Sequence, residues 1–320
     1  MHILSGKDIQ HLAIKHDFTQ VIEQAALNAG SSNLQLPERE QIAAGNSTHL
    51  LMPVYEKAYF STSLLSVTPG NSNTGSDTFQ GMVSLNSSET GSPLCLLNGT
   101  AVQGLRMGAL SGVGYQYLAP AGASVLGIVG AGVQGYYQGL LLAREKGIEK
   151  IILFDKDLWK AEQMVEKLKQ ETSVSDISAA DEIEHLLMES NVVVTATSSE
   201  QPVLPNDKML LNGKTYIATG SFKPNMTELP KALFPHLKKC VVDTRTALRE
   251  SGDLIEPVIN SRLHIDNVIT LAEYISAKKP PELGRTRLFK AAGSALFDLY
   301  LAREIYRLAR ENRMGTVIDF

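Results

Sequence analysis

Three glycines and an acid carry the clearest chemistry in this chain. In GIVGAGVQG, residues Gly130, Gly132 and Gly135 follow an apolar run at 125–129 and open a helix-like segment that reaches Lys146. A second apolar run, 151–154, then ends at Asp155. Each residue type has a mechanical purpose. Gly130 permits a tight strand-to-helix turn, Gly132 lets backbone approach a pyrophosphate, and Gly135 lets the helix pack on the sheet. The N–H groups around Val133 and Gln134, at the start of that helix, are aimed at phosphate oxygens. Asp155 stands where a carboxylate accepts hydrogen bonds from an adenosine ribose. A bare G-x-G-x-x-G is weak evidence. Bracketed by two strands and closed by an acid, it predicts a dinucleotide site. An acid at Asp155 repels a 2′-phosphate and bonds a free 2′-hydroxyl, which favours NAD, while the neighbouring cation Lys156 leaves NADP open.

Further polar residues lie where such folds hold their ligand. Thr197, Ser198 and Ser199 follow the VVVTA run at its C-terminal end. Their hydroxyls either contact the nicotinamide ribose or diphosphate, or simply cap a turn. The seven histidines show no metal-ligand spacing and no cysteine joins them, so no metal site is expected. No Ser-His-Asp order with a nucleophile elbow appears, which disfavours a hydrolase.

The elements that must position these residues are legible as a change of pattern. Residues 8–29 show apolar side chains at helical spacing, and 49–102 reads as short strands (HLLMPVY, AYFSTSLLSV, GMVSLNS, SPLCLLNG) separated by the turn clusters PGNSNTGSD and SSETGSP. That is a mostly antiparallel sheet, followed by a helix rich in small residues at 104–117. After residue 118 strand and helix alternate, with VLGIVG, KIILFD, VVVTAT, TYIATG and KCVVDT as strands. The alternation predicts an α/β Rossmann-type, doubly wound parallel sheet. Near the end, 291–311 is a long amphipathic helix whose apolar side must pack on another domain or a second subunit.

Bulk composition excludes several classes of function. With 320 residues, 43% hydrophobic and 20% charged, the chain is an ordinary globular protein of about two domains. A net charge of −4 without a basic stripe argues against nucleic acid as a partner. The N-terminus alternates apolar and polar residues, and the longest apolar stretch, 108–129, is broken by Gly, Gln and Pro. Neither a secretory leader nor membrane association is therefore expected. Two cysteines, Cys95 and Cys240, far apart in apolar surroundings, fit buried thiols in a reducing, cytoplasmic setting.

Several segments together resemble the ornithine cyclodeaminase/μ-crystallin family, which also contains alanine dehydrogenases and cyclic-imine reductases. They are LRMGALSGVGYQYLA, GIVGAGVQG, TATSSEQPVL, GSFKPNMTELP, VVDTRTALRESGDL and FKAAGSALFDLYLAREIYRLARENRMGT, in the family's order across nearly the whole chain. The resemblance implies an α+β substrate-binding and dimerisation domain at 1–117 and 291–320, with the Rossmann domain inserted at 118–290. It also implies a homodimer, and NAD(P)-dependent hydride transfer at the C–N bond of a small amino acid or cyclic imino acid such as pyrroline-2-carboxylate. The alternatives are an ammonia-eliminating ornithine cyclodeaminase and a crystallin-type protein that binds nucleotide without catalysis.

The family's residues carry over as follows. Arg39, in LPERE, matches an arginine that holds the substrate carboxylate, as does Arg106 in LRMGALSG; guanidinium groups suit a planar carboxylate because each donates two parallel hydrogen bonds. Arg106 as a helix-surface ion pair and Arg39 as an ordinary loop charge remain the bland alternatives. The family lysine falls six residues before Pro69, at Ser63, whose hydroxyl is short and uncharged. A cyclodeaminase aspartate falls at Phe222, and a phenyl ring moves neither amine nor water, which favours plain hydride transfer. Glu228 matches a family glutamate and is either a substrate contact or a cap or hinge residue. Ser63 and Glu228 are thus the candidate catalytic residues, and Arg39, Ser63, Arg106 and Phe222 the substrate-binding ones.

Overall fold

The computed structural model describes residues 1–74 and 77–319, and it is of the α/β class. Of the turn expected at PGNSNTGSD, Gly75 and Ser76 lie outside the described residues. In chain order the first elements are β1 (His2–Leu4), α1 (Gly6–Lys15), α2 (Thr19–Leu27), β2 (Glu40–Ala44), β3 (Ser47–Tyr55), β4 (Tyr59–Val67), β5 (Phe79–Ser87), β6 (Pro93–Asn98) and α3 (Gly99–Leu118). The α/β part follows as β7 (Val125–Val129), α4 (Val133–Leu142), β8 (Lys150–Phe154), α5 (Leu158–Glu171), β9 (Asp176–Ala179), α6 (Ile183–Glu189), β10 (Val192–Thr195), α7 (Lys208–Leu211) and β11 (Thr215–Ala218). Then come β12 (Leu237–Val242), α8 (Ala247–Glu250), α9 (Gly252–Ile259), β13 (Val268–Thr270), α10 (Leu271–Ser276), β14 (Thr286–Lys290), α11 (Ala295–Glu311) and β15 (Thr316–Val317).

The chain divides into two compact units, one of residues 1–106 with 294–319 and one of residues 107–293. The division falls inside α3, eleven residues before the boundary expected from the change of pattern. The sequence pattern marks where strand–helix alternation begins, whereas compactness is decided by what a helix packs on. Already at Gly108, midway along α3, a side chain would meet the Tyr137 carbonyl of α4 at 2.6 Å.

The first unit is a seven-stranded sheet in the order β15-β1-β6-β5-β4-β3-β2. Its pairs are antiparallel except β1 with β6, which run parallel. Alternation decides its two faces. In β4, Ser61, Ser63, Leu65 and Val67 are buried while the residues between them are not, and in β3 the buried set is Leu50, Met52 and Val54. This inner face is covered by α11, whose buried residues include Leu296, Phe297, Leu299, Leu301 and Ile305. The amphipathic C-terminal helix therefore spends its apolar side within its own unit. The expectation that it packs on another domain or a second subunit is corrected, because its period matches a sheet face made by residues two hundred positions earlier. The helix also begins at Ala295 rather than 291; the preceding residues belong to β14 and the loop after it.

The second unit is an eight-stranded, wholly parallel sheet in the order β13-β12-β14-β11-β10-β7-β8-β9. The order reverses between β7 and β10, which makes their C-terminal ends the topological switch point where such sheets bind ligands. The strands β10 and β11 are buried throughout, as a sheet sandwiched by helices requires. Strand β14 (TRLFK), unanticipated from sequence, completes the sheet between β11 and β12 and is followed three residues later by Gly293 and the link to α11.

Candidate functional site

In the second unit, the glycine loop between β7 and α4 has the form a dinucleotide needs. Gly130 has φ +109°, a conformation that side chains rarely adopt, and an added Cβ would stand 2.7 Å from the Ala196 carbonyl oxygen. At Gly135 a Cβ would run into the carbonyl oxygen of Gly130. Gly132, the N-cap of α4, is different: a Cβ there meets nothing within 4 Å. Its lack of a side chain serves no internal packing, and the space above it fits an approaching diphosphate. Gly132 and Val133 are exposed and Gln134 is half-buried, at the N-terminus of a ten-residue helix.

Asp155, just past β8, accepts from the Ala131 N–H at 2.8 Å and from the Asp157 N–H at 3.0 Å. It thereby ties the glycine loop to the second strand. Each carboxylate oxygen keeps a further lone pair, so a ribose hydroxyl can still donate to it. Lys156 beside it is exposed. These residues fit a dinucleotide, whose nicotinamide would supply a hydride donor or acceptor.

The turn after β10 is held from below. Glu228 has no solvent exposure, and its carboxylate accepts from the Thr197 N–H (2.7 Å), the Thr197 hydroxyl (2.8 Å), the Thr195 hydroxyl (2.8 Å) and the Gly220 N–H (2.8 Å). Two loops at the C-terminal ends of β10 and β11 thus share one acceptor. Glu228 thereby ties the two loops together. Thr197 gives its hydroxyl to Glu228, the Ser199 hydroxyl donates to the Gln201 carbonyl at 2.6 Å, and Ser198 is exposed. Burial raises the Glu228 pKa, the Asp253 charge raises it further, and Lys290 opposes both.

Lys290 and Asp253 were not singled out from sequence. Both are buried, with Lys290 Nζ 3.6 Å from Asp253 Oδ2 and 3.3 Å from the Ala218 carbonyl oxygen. The other Asp253 oxygen accepts the N–H groups of Glu228 and Leu229 at 2.7 and 2.9 Å. Asp243, also buried, receives the N–H groups of Ala292 and Gly293 at 3.1 and 2.6 Å. A lysine in the otherwise apolar run LFKAAG was the available signal. Phe222, in the loop after β11, is half-buried, and the Lys223 ammonium lies 5.6 Å from its ring centroid.

The first unit gathers a second set. Arg106 and Asp298 are both buried, and Arg106 Nη1 donates to both Asp298 oxygens at 3.0 Å. Ser63 donates to Asp298 Oδ2 at 2.7 Å. Neither a surface ion pair nor a solitary arginine, Arg106 is anchored by one nitrogen. Its Nε is buried and has no hydrogen-bond partner. That leaves the Nε–Nη2 edge, the fork a carboxylate takes. Asp298 was missed by sequence reading; a carboxylate among the apolar positions of FDLYLA was the sign. Arg39 is half-buried beside β2. It lies one residue beyond the Glu40↔Leu51 pair, and Met52 pairs with Ser63. Met52 and Ser63 are thus cross-strand neighbours, and Arg39 immediately precedes the edge strand beside them. Among the described residues no group of three or more His, Cys, Asp or Glu side chains could hold a metal ion.

Fold and site define a Rossmann-type α/β protein with a second, mixed-sheet unit. The chain belongs to the ornithine cyclodeaminase/mu-crystallin family, whose model matches residues 2–313. It is 32% identical to a Delta(1)-pyrroline-2-carboxylate reductase of Bacillus cereus, over the full length of both chains. Among solved structures it is similar to the Thermococcus litoralis Delta(1)-pyrroline-2-carboxylate reductase in complex with NADH and L-proline, with a TM-score of 0.91, 28% identity, and coverage of 99% of this chain and 100% of that one. An archaeal alanine dehydrogenase dimer with bound NAD gives a TM-score of 0.88 at 25% identity, covering 100% of this chain and 99% of that one.

Proposed function

We propose that this protein is an NAD-dependent oxidoreductase that transfers hydride at the C–N bond of a small cyclic imino acid, of the pyrroline-2-carboxylate kind. The observation that carries the reading is Arg106: a buried guanidinium, anchored through Nη1, with an unpartnered Nε left for an acid. The relatives named above support the same substrate class and the same cofactor. Residues 107–293 hold the cofactor, with Gly130, Gly132, Val133, Gln134, Gly135 and Asp155 around the adenosine and diphosphate and the Thr197–Ser199 turn toward the nicotinamide. Asp155 favours NAD over NADP. Arg106, with Arg39 and Ser63, holds the acid; Phe222 stands where the cyclodeaminase aspartate falls in the sequence, so the ammonia-eliminating reaction is disfavoured.

The test is purified protein with NADH or NADPH and a panel of pyrroline-2-carboxylate, piperideine-2-carboxylate, and pyruvate with ammonia. NADH oxidation with a cyclic imine is the expected result. No oxidation of either cofactor across the panel overturns the proposal, and proline formation from ornithine replaces it with the cyclodeaminase reaction.

The protein works as a cytoplasmic homodimer in this reading. The face of the seven-stranded sheet that α11 does not cover carries Leu51, Leu64 and Met82 in one cross-strand row, with Leu64 41% and Met82 43% exposed. An apolar sheet face of this kind is closed by a second copy across a two-fold axis. Among the described residues no helix is long and apolar enough to cross a membrane.

A further inference from the structure

We propose that Asp298 is the counter-ion of the acid site, and that a ligand carboxylate arriving on Arg106 is bound together with one proton, taken up by the Asp298–Ser63 pair. This rests on the reading of Arg106 as the acid-binding residue and adds how that site manages charge. Arg106 and Asp298 form a neutral pair in which the side chains are 4% and 2% exposed. A second carboxylate on the Nε–Nη2 edge puts two anions on the one fully buried cation, because Arg39, which also serves the acid, is only half-buried and its charge is screened by solvent. Uncompensated buried charge is expensive, and two carboxylates sharing one cation cannot both stay ionised cheaply. One of them must take a proton from solvent.

Asp298 is the carboxylate that gives way. Burial already pushes its pKa up, while Arg106 and the Ser63 hydroxyl hold it down. An incoming anion shares the Arg106 field and adds repulsion, so the restraint weakens and the upward push remains. Ser63 is built to accept the change. Its hydroxyl now donates to Oδ2; once Asp298 is protonated, the same oxygen accepts from the carboxyl and turns its hydrogen toward the ligand. The position in the first turn of α11 favours the ionised form when no ligand is bound.

No other group competes for the proton. Among the described residues, the elements that pack most extensively on α11 are α1, α2, β3, β4, β5 and β6, with α3 bringing Arg106 to Asp298, and apart from Arg106 and Cys95 the buried residues of all of them are apolar or hydroxyl-bearing. Burial pushes that thiol up to about 12, so it stays protonated throughout. On α11 itself, Tyr300 and Arg303 are bound to Glu56 at 2.8 and 2.6 Å.

The experiment is calorimetric titration of full-length, NADH-saturated protein with cyclopentanecarboxylate, a five-membered-ring acid with no nitrogen to titrate. It is run from about pH 6 to about pH 9 in paired buffers of different ionisation enthalpy. Uptake should approach one proton per ligand, with Kd weakening by about tenfold per pH unit where uptake is full. In Asp298→Asn the uptake should vanish, and binding at the alkaline end should be at least about tenfold tighter than in the parent. Ser63→Ala should keep the uptake. Binding without proton uptake in the parent, or unchanged uptake in Asp298→Asn, overturns the inference while leaving the acid site standing. Absence of binding in the parent overturns the acid-site reading itself. The parent protein's proton count stands alone if the Asp298→Asn chain does not fold.

Discussion

The backbone N–H of Thr197 and the Oε1 of Glu228 are 2.7 Å apart, so the turn that ends β10 hangs on a carboxylate with no access to solvent. Replacing Glu228 by Gln keeps the shape but turns an amide NH2 toward donors that need an acceptor. Leaving such donors unmet costs about 1–3 kcal/mol each. Thermal unfolding should shift downward, and NADH affinity should fall by about tenfold or more as the turn loosens. A Glu228→Gln protein with unchanged melting temperature and unchanged NADH titration would contradict this role.

Cofactor and acid binding should separate on two substitutions. Gly132→Val places its side chain in open space, so the fold should be retained while NADH fluorescence titration shows affinity collapsing. Arg106→Lys keeps a cation beside Asp298 but removes the fork, and an interaction of this kind is worth about 2–5 kcal/mol when desolvated. KM for the imino acid should rise steeply with NADH affinity nearly unchanged. Loss of NADH binding in Arg106→Lys would place that residue in the wrong site.

Lys290→Met removes the buried cationic partner of Asp253 and leaves that acid beside Glu228 in the interior. Breaking a buried pair from one side costs about 3–5 kcal/mol, a large share of a domain's stability. Denaturant unfolding should show that loss, and it should be larger at alkaline than at acidic pH, because Glu228, whose pKa burial and the Asp253 charge raise, relieves the repulsion when it takes a proton. A loss below about 1 kcal/mol at neutral pH would mean the pair is not ionised.

The two thiols give a pH dependence with a definite sign. Burial pushes Cys95 and Cys240 up to about 12 in the folded chain, from about 9 when exposed. A raised pKa stabilises the fold below the ordinary thiol range, and that contribution is lost as pH climbs through the folded value. Denaturation midpoints should therefore fall between about pH 9 and about pH 12 in the parent, and fall less in a Cys95→Ala, Cys240→Ala protein. In the native state neither thiol should react with an aromatic disulfide reagent. Rapid native labelling would show that the burial is transient.

The proposed dimer is tested on the uncovered sheet face. Leu64→Arg places a charge in the middle of the Leu51–Leu64–Met82 row without touching the inner face, so the chain should fold and scatter light as a monomer. A monomeric parent protein at micromolar concentration would remove the reason for that apolar face.

What the sequence determined by itself was local. The β7–α4–β8 unit was legible to within a few residues because its signal lies in contiguous apolar runs, three glycines with steric duties, and one acid. The helix α11 was legible from its period. Its partner was not, because an apolar stripe specifies that something covers it and leaves open what does. Only the fold revealed that the stripe lies on β3, β4 and β5. The same holds for the polar residues. Arg106 was found as a residue type in a recognisable segment, yet the carboxylate that orients it stands 192 positions later, and Ser63 meets the same carboxylate across 235. Lys290, Asp253 and Glu228 likewise come from three separate segments. Each alone looks like a charge bound for solvent. Only tertiary packing buries them together, and burial is what turns scattered charges into a network with consequences for pKa, loop position and ligand binding.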